Sequence, residues 1–527
     1  MNSLEDKISA QLSDRTENSE VHVGEPRSDA TYAATLRSSS IIGGAQVINM
    51  AIGLVRTKAV AVLIGPTGVG LLGIFQTVIA LASTMAGLGI QASGVRDVAK
   101  FHGANDRDGI SLTIRTLRRV CWFTGIAGML TMAALAPWIS QVSFGSRNYT
   151  WSIVAVSLTI VLGNLSAGQG AVIQGTRRIG DLARMNVAGA FVGTCVSIGF
   201  YIWLGIDGIV PALVLLAVVS LAISTYYARK VSLTDVFPTW LESWGQAKSL
   251  IQFGLAIAYT GVITALLAYG IRTLIIREYD LAAAGIYTAA FSLSGMFVQF
   301  VLQAMGADYY PRLTAAASDH QRMAQLINEQ TEIGLVLAFP GLLATLAFAP
   351  YLITLFYTSE FAPAAAMLQW FVVGCMIRVL QWPLGFSLLA LGRGYTYATL
   401  QTVLHGMHII YVWVFLGMFG IIGTSIAFAA MYVCGLGIVY FVTKRVIGFS
   451  WSKAVKQQLV WMFPLATMSF LLPQLLSQAV STVLGGGVAI VSAVICLRQL
   501  VRRVGTEHRI VRTIKRFPGG SWLVHGL

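Results

Sequence analysis

Arg56 and Arg378 are the residues most in need of a chemical explanation, because each stands inside a long apolar run. Arg378 lies near the middle of the run 363–391, about fifteen residues or roughly 22 Å along a helix from its outer end. A guanidinium held at that depth in hydrocarbon costs at least about 3 kcal/mol unless it meets a partner or water. Nearly all acids fall in loops or at run ends, so no carboxylate of comparable depth is available to neutralise it. Arginines left in that condition suit an anionic ligand, and the guanidinium fork matches phosphate oxygens in particular. Arg56 is followed by mostly apolar sequence and also lies below the surface, whereas Lys58, a further candidate beside the substrate, projects in another direction and is long enough to snorkel. Arg272 and Arg277 stand nearer the end of the run 249–277, beside Glu278 and Asp280. Anchoring at the membrane interface and a place in an interior cavity both fit those two.

Polar side chains recur around these cations at helical spacing. Gln46, Asn49, Gly53 and Arg56 are three or four residues apart and so share one helix face. The same pattern runs through Gly73, Gln76, Ala80, Ser83, Gly87 and Gln91, and through Thr288, Ser292, Gly295, Gln299 and Gln303. Amides at 46, 49, 76, 299 and 303 are suited to sugar hydroxyls, although small and polar stripes also serve as glue between membrane helices. Other chemistries find weaker support. His405 and His408 lack a visible third ligand, and the five cysteines show no CxxC pairing, so neither a metal nor a cofactor is expected. Asp106 and Asp108 form a DxD pattern open to a glycosyltransferase reading, yet GxSxG and HExxH are absent, and no lysine follows a glycine as a phosphate-binding loop requires.

The elements that must position these side chains are transmembrane helices. Of 527 residues, 56% are apolar and only 11% charged, and mean hydropathy is +0.72. Lipid cannot satisfy backbone donors and acceptors, so the long apolar runs must be helical. The runs are 36–64, 68–91, 117–142, 151–174, 185–205, 208–228, 249–277, 283–306, 331–356, 363–391, 396–418, 421–443, 457–475 and 479–498. An all-α polytopic membrane protein of about 14 spans follows. The excess of 36 Lys and Arg over 22 Asp and Glu is scattered in short clusters between runs, the distribution of cytoplasmic loops and not of a nucleic-acid surface. With the amino terminus inside, 30 of the 36 bases fall on the inner side, and both termini are cytoplasmic.

Span one reads GLVRTKAVAV and is followed by LLGIFQTV; span seven reads YGIRTLIIRE and is followed by AAGIYTAA. Six spans separate them, so the copies enter the membrane in the same direction and a pseudo-two-fold axis lies along its normal. The expected domains are an acidic, disordered cytoplasmic tail (1–35), an N-lobe of spans one to six (36–228), a cytoplasmic linker (229–248), a C-lobe of spans seven to twelve (249–443), two extra spans (457–498) and a basic cytoplasmic tail (499–527). Phe237, Trp240, Leu241 and Trp244 predict an amphipathic surface helix in the linker, and the basic tail is expected to lie on anionic lipid.

Three stretches carry a family resemblance: GLVRTKAVAVLIGPTGVGLLGIFQTV (53–78), QGTRRIGDLARMNV (174–187) and GADYYPRL (306–313). With them, spans one to twelve resemble the Wzx-type polysaccharide flippases of the multidrug, oligosaccharidyl-lipid and polysaccharide exporter superfamily, particularly the O-antigen and enterobacterial-common-antigen translocases. The resemblance implies two lobes rocking around a cationic cavity in a bacterial inner membrane. Its implied cargo is a polyprenyl-pyrophosphate glycan, such as an O-antigen or exopolysaccharide repeat unit, with other polysaccharide-assembly membrane proteins as partners. The family pattern carries over to Arg56; Arg272 corresponds to it through the internal repeat. Asp308, Tyr309, Tyr310, Pro311 and Arg312 are read either as a gate or lobe interface, or as a helix end stopped by Pro311. A drug exporter of the same superfamily and a membrane-embedded glycan polymerase or glycosyltransferase are the alternatives; a drug exporter for cations would be expected to place carboxylates in its cavity.

Overall fold

The computed structural model describes residues 29–236 and 239–504, and every regular element among them is helical. The first, α1, runs from Asp29 to Gly87 and bends at Gly65, whose φ of 61° and ψ of −171° lie in a region that essentially only glycine occupies. Pro66 follows, lacking an N–H and disfavouring helical geometry in the residue before it. A short helix α2 (Ile90–Gly103) precedes α3 (Arg107–Phe144), α4 (Thr150–Gly175), α5 (Ile179–Leu204) and α6 (Ile209–Ala228). The second half comprises α7 (Trp240–Glu278), α8 (Leu281–Ala315), α9 (His320–Phe356), α10 (Ala364–Ala390), α11 (Gly394–Phe419) and α12 (Gly423–Ile447), followed by α13 (Lys453–Leu475) and α14 (Gln478–Val504).

Eleven segments among the described residues are long and apolar enough to cross a membrane. Three of them, Gly43–Gly87, Ile179–Ala228 and Gly394–Ile447, contain a break where the sequence reading places two spans each. The breaks are the Gly65 kink and the 3₁₀ turns Gly205–Gly208 and Gly420–Ile422. The helices therefore have two ends in common: a basic end with the Arg and Lys clusters, and a neutral end with these glycine turns.

Matching turns recur in the two lobes. A Cβ added at Gly208 would stand 2.5 Å from the Phe200 carbonyl, and one at Gly423 would stand 1.9 Å from that of Phe415; in each case the chain doubles back onto the residue eight before. At the basic end, Arg178 N–H donates to Ile173 O at 3.1 Å and Arg393 N–H to Leu388 O at 2.9 Å. Each of those turns follows a residue of positive φ, Arg177 at 55° and Gly392 at 70°. Asp106 and Asp319 cap α3 and α9 by accepting from Gly109 N–H (2.8 Å) and Arg322 N–H (2.9 Å). The DxD pattern is thus a helix start, with Asp106 as its cap.

Two expectations need correction. Trp240, Leu241 and Trp244 are not in a separate surface helix: α7 continues without a break from Trp240 through the seventh span to Glu278. Phe237 lies outside the described residues, as do most of the two tails. Before that helix the linker is tied to the N-lobe, for Arg115 donates to Thr234 O (2.9 Å) and Thr234 N–H to Ser111 Oγ (2.8 Å) on α3. The basic stretch 96–119, whose charges and place between spans two and three read as a cytoplasmic loop, is also helical, occupied by α2 and the first turns of α3. The two extra helices pack on α9. Asn328 there accepts from Ser452 N–H at 2.8 Å, and Ser452 caps α13.

Candidate functional site

Arg378, half-buried on α10, donates from Nη2 to Gln299 Oε1 on α8 at 3.1 Å. The structure thus joins two residues that sequence reasoning singled out separately. Gln303, one turn further along α8, is exposed, as are Gln46 on α1 and Gln76 beyond the Gly65 bend. Asn49 is half-buried, with its Oδ1 enclosed and unpartnered. Arg56, half-buried on the same face, neighbours the Tyr201 hydroxyl of α5.

Arg272 lies deepest, at 9% exposure. Its Nη1 donates to Ala268 O at 3.2 Å, and its guanidinium stacks 5.5 Å from the Tyr287 ring centroid. The Nε is buried without a partner, and a Cβ at Gly73 would come within 3.5 Å of it. Arg272 therefore sits where α7, α8 and the second half of α1 converge. The ion pairs of the described residues bring no carboxylate to Arg56, Arg272 or Arg378. Among the described residues neither Glu278 nor Asp280 forms an ion pair with Arg272 or Arg277: Asp280 caps α8 through Ala283 N–H (2.7 Å), and Arg277 donates to Gln141 O (3.1 Å).

That last bond crosses from the C-lobe to the N-lobe, and several others do so at the neutral end. Lys58 Nζ donates to Thr354 O at 2.9 Å and to Tyr357 O, which puts a cation on the free carbonyls at the end of α9. Lys58 was expected beside the substrate; here its ammonium is committed to those carbonyls. Ser143 Oγ and Tyr269 OH are 2.8 Å apart. Between them α1 and α8 cross so closely that a Cβ at Gly70 would lie 1.9 Å from Leu281 O, and one at Gly285 would lie 2.0 Å from Pro66 O. These contacts seal the lobes together at the neutral end.

Toward the basic end the turn between α1 and α2 touches α7, where a Cβ at Gly89 would meet Gly254 O at 2.2 Å. Beside that edge a cavity of about 440 Å³ opens between α1, α2, α3, α4 and α7, lined by Ser83, Thr84, Gln91, Thr124, Asn164 and Gly261 among others. It takes in part of the polar stripe of span two. Thr124 and Asn164 carry buried polar atoms without partners there, and isolated polar residues in spans three and four had given no periodic signal. Arg56 and Arg378 are not on its lining.

In the segment 308–312 only Tyr309 is buried, while Asp308, Tyr310, Pro311 and Arg312 are exposed. Pro311 does not stop the helix, which continues to Ala315. Tyr309 is buried and donates to Pro383 O (2.9 Å) on α10. Arg312 pairs with Asp308 (3.2 Å) and reaches Glu329 (3.7 Å) on α9. Tyr310 stacks at an angle on Phe386, 5.8 Å between centroids.

Residues 59–366 match the polysaccharide biosynthesis protein family. The chain belongs to that family. It is also 24% identical over 409 residues, 75% of its own length and 93% of theirs, to the lipid III flippases of Escherichia coli (strain K12) and Shigella flexneri. Among solved structures, the lipid II flippase MurJ in an inward closed conformation aligns with a TM-score of 0.64 at 12% identity, covering 89% of this chain and 99% of that one. An inward-facing multidrug resistance MATE family transporter of the MOP superfamily aligns at 0.61 with 16% identity, over 78% and 99%. The family member described here is thus a multi-pass membrane protein with the fold of MOP transporters.

Proposed function

We propose that this protein is a flippase that moves a polyprenyl-pyrophosphate-linked oligosaccharide, an O-antigen or exopolysaccharide repeat unit, from the cytoplasmic to the periplasmic leaflet of a bacterial inner membrane. The observation that carries this reading is the set of three arginines within the bundle, none of them ion-paired to a carboxylate among the described residues. Leaving such charges uncompensated in a membrane is costly. A pyrophosphate supplies the missing negative charge and the acceptor oxygens that a guanidinium fork fits. Gln299, Gln303, Gln46, Asn49 and Gln76 offer amides to the sugars, and the prenyl chain stays in lipid. The seal at the neutral end supports alternating access, in which the lobes open on one side at a time. The lipid III flippase relatives point the same way.

The MATE-like fold keeps a drug exporter in view. An interior rich in unpaired arginine repels the cationic drugs such an exporter would carry. The test is transport in proteoliposomes loaded with a defined polyprenyl-pyrophosphate glycan. Arg56→Ala and Arg378→Ala are each expected to cut the rate at least about tenfold, the loss of one charge-assisted contact or more. Unchanged rates in both variants would remove the site, and equal transport of an uncharged lipid glycan would remove the substrate class.

A further inference from the structure

Near the basic end of the N-lobe, α3 carries Arg115, Arg118 and Arg119, and the chain leaving α6 begins with Arg229 and Lys230. The fold holds these two stretches side by side. Thr234 bonds to Ser111 and Arg115 of α3 through its N–H and its carbonyl, and Val231 and Leu233 pack against the apolar cluster that contains Ile110, Ile114 and Leu117. Cations therefore gather where the linker crosses from α6 to α3. Arg115 and Arg229 both stand close enough to Arg118 for their charges to repel its own.

Arg118 is the member of this patch that lacks compensation. It is half-buried, and among the described residues it makes no hydrogen bond or ion pair. The described acids of this end are engaged elsewhere or stand in water: Asp97 pairs with Arg96, Asp106 caps α3, Asp181 takes Arg178 and Arg184, and Asp108 and Asp235 are exposed. Trp122 follows Arg118 by one turn on the same face of α3 and is 51% exposed, with Phe123 beside it at 62%. On a membrane-spanning helix such rings face lipid at the level of the headgroups, so Arg118 opens to the same side at the top of the hydrocarbon. Tyr226, exposed at the end of α6 with the Lys230 ammonium 4.7 Å from its ring centroid, adds a second aromatic edge.

From this arrangement we infer that the patch binds an anionic phospholipid of the leaflet at the basic end, its phosphodiester between Arg118 and Arg229 and its acyl chains passing Trp122. The phosphodiester oxygens accept from both guanidiniums and bring the negative charge that the patch is missing. A headgroup with an ammonium of its own already neutralises its phosphate and adds a cation to a cluster of cations, so a lipid of net negative charge is preferred. Free phosphate carries the charge but has nothing to lay against Trp122. The proposal is independent of the flippase reading, because it uses none of the arginines assigned to the cargo.

The experiment is native mass spectrometry of the purified full-length protein in a neutral detergent, titrated separately with phosphatidylglycerol and phosphatidylethanolamine of matched acyl chains. The first phosphatidylglycerol is expected to be held at least about tenfold more tightly than the first phosphatidylethanolamine, and Arg118→Gln and Arg229→Gln each to lose at least about tenfold of that affinity, the worth of one charge-assisted contact. Lys444→Gln, which removes one exposed charge in the last turn of α12, should change it by less than about twofold. Because Arg118 is repelled by its neighbours, Arg118→Gln should melt no lower than the parent in lipid-free detergent, yet gain less from added phosphatidylglycerol. Equal retention of the two lipids, or equal losses in Arg118→Gln and Lys444→Gln, would overturn the assignment. A lower melting temperature of Arg118→Gln without lipid would overturn the account of its charge as uncompensated. Competition by soluble glycerol phosphate as effective as that by the lipid would overturn the part given to Trp122 and the acyl chains.

Discussion

Lys58 shows what a side chain's type alone leaves open. A lysine two residues from a buried arginine suggests a second ligand for an anion, yet its ammonium lies on the Thr354 and Tyr357 carbonyls of the opposite lobe. Main-chain acceptors at a helix end leave no mark on the sequence, so this partner was not legible there. Lys58→Met should weaken the seal by about 1–2 kcal/mol, shifting the lobe equilibrium roughly fivefold to thirtyfold toward opening at the neutral end. The measurement is the labelling rate of Ser143→Cys by a membrane-impermeant thiol reagent, expected to rise in the Lys58→Met background. Arg378 and Gln299 stood out in the sequence because a charge and an amide are conspicuous in apolar runs, and they do meet. Tyr309 differs again: its hydroxyl bond to Pro383 stays inside the C-lobe. Tyr309→Phe is expected to lower thermal stability by about 1–2 kcal/mol while leaving transport within about twofold. A larger loss of transport than of stability would restore a gating role to it.

At the scale of elements, apolar runs and turn residues located the helices because hydrocarbon enforces internal hydrogen bonding. Whether two runs form separate helices or one bent helix was not legible, since Gly65 and Pro66 punctuate the chain without saying how far it turns. The merging of the linker into α7 escaped the reading for a related reason: an amphipathic stretch feeding directly into an apolar one gives no stop signal at their junction. Gly65→Ala should destabilise the protein by about 1–3 kcal/mol, the cost of forcing a side chain into that conformation. Gly285→Ala acts on packing instead, because its methyl would overlap the Pro66 carbonyl. It is expected to cost at least about 1–3 kcal/mol and to loosen the seal, read as a lower unfolding temperature together with faster labelling at Ser143→Cys.

For the whole molecule, the internal repeat was visible as two short matching strings, and the structure extends the correspondence to turns whose sequences barely agree. Gly205–Gly208 and Gly420–Ile422 bend alike although only a few residues are shared between them. The cross-lobe contact of Ser143 with Tyr269 offers a direct test of rocking lobes. With Cys121, Cys195, Cys375, Cys434 and Cys496 replaced, a short cleavable thiol-to-thiol linker joining Ser143→Cys and Tyr269→Cys should reduce transport below about a tenth and return it on cleavage. Undiminished transport by the bridged protein would mean that the neutral end need not part. The shape of α7 adds a mechanical consequence. Its 39 residues make a rod of about 58 Å, nearly twice the roughly 30 Å of hydrocarbon. A tilt of about 10° pivoting near Glu278 would sweep the Trp240 tip by roughly 10 Å. The rod is geared: slight slippage where the lobes clasp becomes a broad stroke at the far tip.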